Sequence, residues 1–437
     1  MATVVLTVAV TAGCKDKPTN PTPEPLTLDE LLQALPGCTV EEIEAPAGAH
    51  YARAFQISVT QPVDHDNPGG QSFTQRVFLS HVDVSAPMVL VTWGYDVTRN
   101  RSHELPEILG ANQLLVSHRY GGDNRPDPVD WTYLTIEQAA ADHHRIVELF
   151  KDIYTGPWVN YGLSKGGKAA AFHRRFYPDD VQATVSGVAP CFNSVHDLRV
   201  DDFLTNTVGT GECREKIRQL QRLMLSRRES LLPLYEEYAR TEGYTFTRIG
   251  GLEAAFEITV LEYGYVFWQY YGAVECDQIP DATVSSEQLF EYMQRINPMN
   301  WLHDAICQTL EPYFYQFYTQ TGYYGYVTEH LSDLLEVVGD DPTFTFMLPP
   351  GVDAVFHPDV AESAREWLEN EGMNIIHFYG EYDPCTAAAV APSASTNSIR
   401  IIQPGGTHFQ NISDLDQRQV VYDSLSAWLG VSINDGG

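Results

Sequence analysis

The chain has 437 residues, of which 43% are hydrophobic and 19% charged, and its formal net charge is −31. Such a composition is globular and argues against a largely disordered chain. The length suits a catalytic domain carrying a sizeable second module. The acidic balance argues against nucleic acid as a partner, because phosphate binding needs clustered Lys and Arg. The charge favours solubility and sets up a negative field that draws cationic substrates, such as peptides with a free amino terminus.

Met1 to Val10 is an apolar run, and Thr11-Ala12-Gly13-Cys14 follows it. Small residues before a Cys resemble a bacterial lipobox, which makes Cys14 a candidate for lipidation, although Thr11 stands where Leu is usual. The run is too short to span a bilayer as a helix. Lys15 to Pro25 is a Pro-rich tether. Residues 1–30 are thus expected to be a lipoprotein-type signal and tether, and the chain is expected to be exported, as a cell-envelope lipoprotein or a secreted protein. The lipid anchor at Cys14 is then the sole membrane contact.

Six further cysteines remain: Cys38, Cys191, Cys213, Cys276, Cys307 and Cys385. An even number fits disulfides in an oxidising compartment. Spacing favours Cys191–Cys213 and Cys276–Cys307, which leaves Cys38–Cys385. No CxxC or paired His spacing marks a metal site, and no cofactor is expected.

Strands are expected at 73–80, 87–92 and 113–117, and a helix over 135–152 with Thr135 as its N-cap. A strand at Trp158-Val159-Asn160-Tyr161 is followed by a helix after Gly166 and a strand at 181–185. Strands alternating with helices argue for an α/β fold with a parallel, doubly wound sheet. The texture changes over 193–340. Arg214 to Tyr238 reads as one long amphipathic helical stretch, and aromatic clusters follow at 263–271 and 313–318. The α/β pattern resumes with a helix at 359–371, strands at 374–378 and 398–402, and a final helix at 414–429. This divides the chain into a first α/β part at 31–192, a helical cap at 193–340 and a second α/β part at 341–437.

Gly162-Leu163-Ser164-Lys165-Gly166 matches G-x-S-x-G, between an apolar strand and a helix. That is the context of a nucleophile elbow, in which a strained turn exposes the Ser hydroxyl at the top of an α/β-hydrolase sheet. A Ser hydroxyl needs a base, and in this fold the chain order is Ser, then acid, then His. His408 lies after a strand and before the final helix. Asp383 lies in the turn Gly380-Glu381-Tyr382-Asp383-Pro384, with Glu381 as the rival acid. His377, within a strand, reads as a core residue. The long interval from Ser164 to Asp383 is filled by the helical region, which would cap the site. One oxyanion donor is expected from the backbone N–H of Lys165 and the other from the loop around Gly94 and Tyr95, with Tyr120 as a further contributor at the substrate-binding side. Glu262, within the cap's aromatic cluster, is a candidate to hold a substrate ammonium.

These residues resemble serine peptidase family 37, the secreted bacterial tripeptidyl aminopeptidases. The likeness rests on Trp158 to Lys168, His173 to Pro178, Leu134 to Asp142, Phe267-Trp268-Gln269-Tyr270, Gly380 to Pro384 and Thr407-His408. A more distant similarity runs to the prolyl carboxypeptidase and dipeptidyl peptidase family, through His118-Arg119-Tyr120-Gly121-Gly122 and Tyr315 to Tyr324, where Gln320 replaces that family's Glu. The resemblance implies an α/β-hydrolase with a helical cap that removes short peptides, in particular tripeptides, from free amino termini, often with Pro near the cleaved bond. Two rival readings share the sequence: a carboxylic-ester hydrolase with the same triad, and a non-catalytic surface lipoprotein that binds peptides.

Overall fold

The structure, a computed structural model, describes residues 26–339 and 341–433. Cys14 and most of the signal and tether lie outside the described residues.

Among the described residues nine strands form one sheet: β1 (Cys38–Ile43), β2 (Arg53–Pro62), β3 (Ser72–His81), β4 (Met88–Thr92), β5 (Asn112–Val116), β6 (Trp158–Leu163), β7 (Ala183–Gly187), β8 (Ile375–Gly380) and β9 (Ile399–Gln403). Their order is β1-β2-β3-β5-β4-β6-β7-β8-β9. From β5 to β9 every neighbour is parallel. The expectation of a parallel sheet needs correction at the other end. There β1, β2, β3 and β5 pair antiparallel, and β1 and β2 were not anticipated. Short connections explain the reversal: Val63 to Gln71 is too brief for a crossover, and its ends close with a 2.9 Å bond from Val63 N to Gln71 O.

The central strands β4, β5 and β7 are buried along their whole length, which is why they read as continuous apolar runs rather than alternating ones. Two apolar clusters cover the two faces of the sheet. One includes Phe55, Leu79, Leu114 and Phe150, and the other Val91, Tyr161, Phe378 and Leu425.

Among the described residues twelve α-helices accompany the sheet. Outside the long connection from β7 to β8 lie α1 (Leu28–Gln33), α2 (Glu104–Leu109), α3 (Ile136–Phe150), α4 (Lys165–Phe176) and, after β9, α12 (Arg418–Leu429). Thr135 caps α3 as expected, accepting from Gln138 N at 3.1 Å. Gln320 adds to that end by accepting from Ile136 N at 2.6 Å. The β7–β8 connection holds α5 (Leu198–Asp202), α6 (Gly211–Ser226), α7 (Arg228–Glu242), α8 (Leu252–Val266), α9 (Ser286–Ile296), α10 (Asp304–Gln316) and α11 (Pro358–Asn370). The part of this connection before α11 has its own aromatic core, centred on residues such as Tyr235, Phe256, Trp268 and Phe344, whereas α11 packs on α4 through Ala364 and Leu368.

Two further expectations are corrected. The stretch from Arg214 to Tyr238 is not one helix, because α6 ends at Ser226 and α7 restarts at Arg228. Arg227 breaks it and donates to the carbonyls of Ala282 and Val284. The cysteine pairing is Cys213–Cys276. The pairs Cys191–Cys213, Cys276–Cys307 and Cys38–Cys385 do not form, and Cys38, Cys191, Cys307 and Cys385 are free thiols. Cys38 lies on the outermost strand β1, while Cys385 follows β8 near the other edge, so the sheet itself keeps those two apart. Among the described residues no helix is long and apolar enough to cross a membrane.

Candidate active site

Ser164 sits between β6 and α4 with φ 54° and ψ −124°, a backbone conformation that costs a non-glycine residue on the order of 1–3 kcal/mol. Its N–H donates to Gly187 O at 2.8 Å, which ties the elbow to β7. The turn requires glycine around it. Gly94 has φ 82°, and a Cβ there would lie 2.6 Å from the backbone nitrogen of Gly166. The loop after β4 thus runs directly against the start of α4, where the Lys165 N–H is located.

His408 follows β9, and its backbone N–H donates to Gln269 O of the insertion at 2.8 Å. Its Nδ1 lies 2.7 Å from Asp383 Oδ2. Asp383 follows β8, is fully buried, and its other oxygen accepts from Cys385 N at 3.0 Å. Burial works against the imidazolium of His408, but the Asp383 carboxylate outweighs it and holds the ring well above the usual His range. Glu381, the rival acid, is exposed and accepts from Gly405 N at 2.6 Å, so it fastens the turn and does not meet His408.

Ser164 and His408 line one cavity of about 420 Å³, together with Tyr95, Lys165, Glu262 and Tyr270. That size is typical of a small-ligand site. No hydrogen bond joins Ser164 Oγ to His408 among the described residues, and such bonds are often long before substrate binds. Glu262 lies in the middle of α8. Tyr324 donates to its Oε1, and its Oε2 is buried without a partner. Burial pushes the carboxyl up to about 8. Tyr265 and Tyr324 stack at 3.6 Å beside it. Tyr120 does not line this cavity. It is fully buried, with its hydroxyl donating to Asp130 O at 3.0 Å. His377 is buried within β8, as its place in a strand implies.

The sequence did not reveal the side chains of Lys165, Lys168 and Cys385, all of which reach the cavity wall. The signal for Lys168 was its place four residues after Ser164, on the same helix face. Its Nζ rests 4.6 Å from the ring centre of Phe192, and burial lowers the amine to about 8. Cys385 comes two residues after the acid, and its sulfur lies 3.4 Å from Tyr265 Oη. Ligand atoms of Asp383, Cys385 and His408 fall within 4.8 Å of one another. A metal ion could use the facing atoms of that set only by displacing the Asp383–His408 bond.

The strand order, the strained Ser between strand and helix, and the Asp–His pair at the carboxyl ends of later strands define an α/β-hydrolase. A family model described as PS-10 peptidase S37 matches residues 22–435, and the chain belongs to that family of serine peptidases. Over 411 residues it is 33% identical to a prolyl tri/tetrapeptidyl aminopeptidase of Streptomyces mobaraensis, covering 92% of this chain and 85% of that one. Among solved structures, a proline iminopeptidase of Mycobacterium smegmatis aligns at 15% identity and a TM-score of 0.38, over 85% of this chain and 98% of that one. A Pyrobaculum calidifontis esterase aligns at 13% identity and a TM-score of 0.34, over 89% and 88%.

Proposed function

We propose that this serine peptidase removes short peptides, tripeptides in the first place, from free amino termini through an acyl-enzyme at Ser164. His408 takes the Ser proton and returns it to the leaving amine. Asp383 holds the imidazole in the required tautomer and stabilises its charged form. The Lys165 N–H and the loop at Gly94 and Tyr95 receive the oxyanion. Glu262 binds the substrate ammonium. The protein works outside the cytoplasm, a reading that rests on the sequence of residues 1–25 alone.

The observation that carries this reading is the unpartnered Glu262 Oε2 in the cavity that also holds Ser164 and His408. Burial keeps the Glu262 carboxyl protonated up to about 8 in the free protein, and a substrate ammonium would supply the charge and donors that let it ionise. The relative's name makes a Pro at the cleaved bond the first substrate to try. The test compares a free tripeptide amide with its acetylated form. Acetylation should lower kcat/KM by roughly tenfold to a hundredfold. Equal rates would refute the exopeptidase reading, and preferential turnover of a short-chain ester would favour an esterase.

A further inference from the structure

Behind the nucleophile elbow lies a second, much smaller cavity of about 10 Å³. That is room for one small occupant. Its polar wall consists of His118, His143, Lys165, Lys168, Gln316 and Thr321. Every titratable group on it is basic, and no carboxylate lines it.

The hydrogen bonds show where protons are left over. His118 Nδ1 lies 2.9 Å from Arg119 O, so that nitrogen carries the proton and Nε2 offers a lone pair. Lys165 Nζ approaches that Nε2 at 3.4 Å and donates to Gln316 Oε1 at 2.6 Å. Two of its three protons therefore go to neutral acceptors, and the third has no hydrogen-bond acceptor among the described residues, only the ring faces of Tyr313 and Phe317 at 5.5 and 6.0 Å. The bond to Oε1 also fixes the Gln316 amide, whose Nε2 is buried without a partner. His143 Nδ1 and Thr321 Oγ1 are buried and unpartnered as well. These three residues are 2%, 2% and 4% exposed, in the order Gln316, His143, Thr321. Asp142, beside His143, offers nothing, because Arg119 and His65 already take its carboxylate.

A buried ammonium bonded only to neutral groups is costly, and so are donors without acceptors. Burial pushes the Lys165 amine well below its usual range and the His143 ring down to about 3, as expected where positive charge has no counter-ion. A water molecule would bring two more protons to a wall already rich in donors. A spherical anion accepts from all of them at once.

We propose that this cavity is a halide site that binds chloride between Lys165 Nζ, Gln316 Nε2, Thr321 Oγ1 and His143, directly behind the elbow that carries Ser164. The inference rests on the cavity and is independent of the peptide specificity proposed above.

Two measurements test it. In crystals of the whole protein grown from sodium bromide, the anomalous map should show a peak within hydrogen-bond distance of Lys165 Nζ and Gln316 Nε2. In solution, Tm in about 0.15 M sodium chloride should exceed Tm in sodium gluconate of equal ionic strength by roughly 2–4 °C. Thr321→Val removes one donor and should cut that chloride-specific difference at least by half. A map without a bromide peak means that water fills the cavity and overturns the proposal. A peak with no chloride-specific Tm difference marks an adventitious ion and overturns it too. Should Thr321→Val fail to fold, the two wild-type measurements decide alone.

Discussion

The sheet and the helical insertion supply the main cavity in different ways. On the sheet side, Ser164, Asp383 and His408 follow β6, β8 and β9 and are held largely by backbone. Ser164 N bonds to the neighbouring strand at Gly187, and Asp383 is clasped by the N–H of Cys385 two residues away. On the insertion side, Glu262 is an ordinary mid-helix position whose setting comes from Tyr324, sixty-two residues further along the chain. The proposed chemistry would thus be fixed by short-range geometry at strand ends, and the proposed recognition by long-range packing of aromatic side chains. If that division is right, substitutions on the sheet side should abolish turnover, and those in the insertion should change what is accepted.

The sharpest way to break the comparison is Ser164→Ala. It should lower kcat on the order of 10⁶-fold with an unchanged circular dichroism spectrum, and a variant keeping a few per cent of activity would place the nucleophile elsewhere. Asp383→Asn should cost roughly 10⁴-fold, through the wrong tautomer of His408, while Glu381→Gln should be mild. The same Asp383 variant carries a signature in pH. His408 must be neutral to act as base, and Asp383 holds its pKa up, so activity is lost as pH falls through that raised value. Removing the carboxylate should move the acid limb of kcat/KM to lower pH.

The insertion side makes weaker but equally definite claims. Burial raises the Glu262 carboxyl from 4.5 to about 8, so between those values the folded protein holds a proton that the unfolded chain has lost. Stability from this group is therefore complete below pH 4.5 and declines as pH rises through about 8, by up to roughly 5 kcal/mol. Denaturant unfolding at pH 5 and pH 8 should show Glu262→Gln gaining on the wild type at the higher pH. A constant difference would mean that the carboxyl is not shifted. In kinetics, Glu262→Gln should lower kcat/KM for free tripeptide amides by about 10- to 100-fold and leave acetylated ones unchanged. An equal loss on both substrates would show Glu262 to be merely structural.

The same division explains what could be read from sequence. G-x-S-x-G between an apolar strand and a helix carries its own context, and the order Ser, Asp, His follows from strand order, so the places of Ser164, Asp383 and His408 after β6, β8 and β9 were legible from local patterns. So was the helix over 136–150, through its spacing and its Thr135 cap. The edge strand β1 was missed because it is nowhere fully buried and gives a weaker apolar signal than β4 or β5, and the inner strand β2 because Gln56, Ser58 and Thr60 interrupt its apolar residues. The pairing Cys213–Cys276 depends on how α6 meets the segment after α8, which no spacing rule encodes. Tyr120 was misplaced because a His-Arg-Tyr-Gly run says nothing about which way the ring turns. Its left-handed backbone, at φ 68°, goes with a ring packed between Phe73 and Trp131, away from the cavity.

One bond described above reaches further than its single hydrogen. His408 owes part of its placement to the Gln269 carbonyl, which belongs to the insertion and not to the sheet. The imidazole of the proposed base is therefore only as rigidly held as a helical unit with its own separate core. Partial opening of that unit would release the imidazole loop while the nine strands stay paired, and such subglobal opening always lies at or below the free energy of global unfolding. Heat should consequently silence this enzyme before it melts it, and cooling from that window should restore function without any need to refold the sheet.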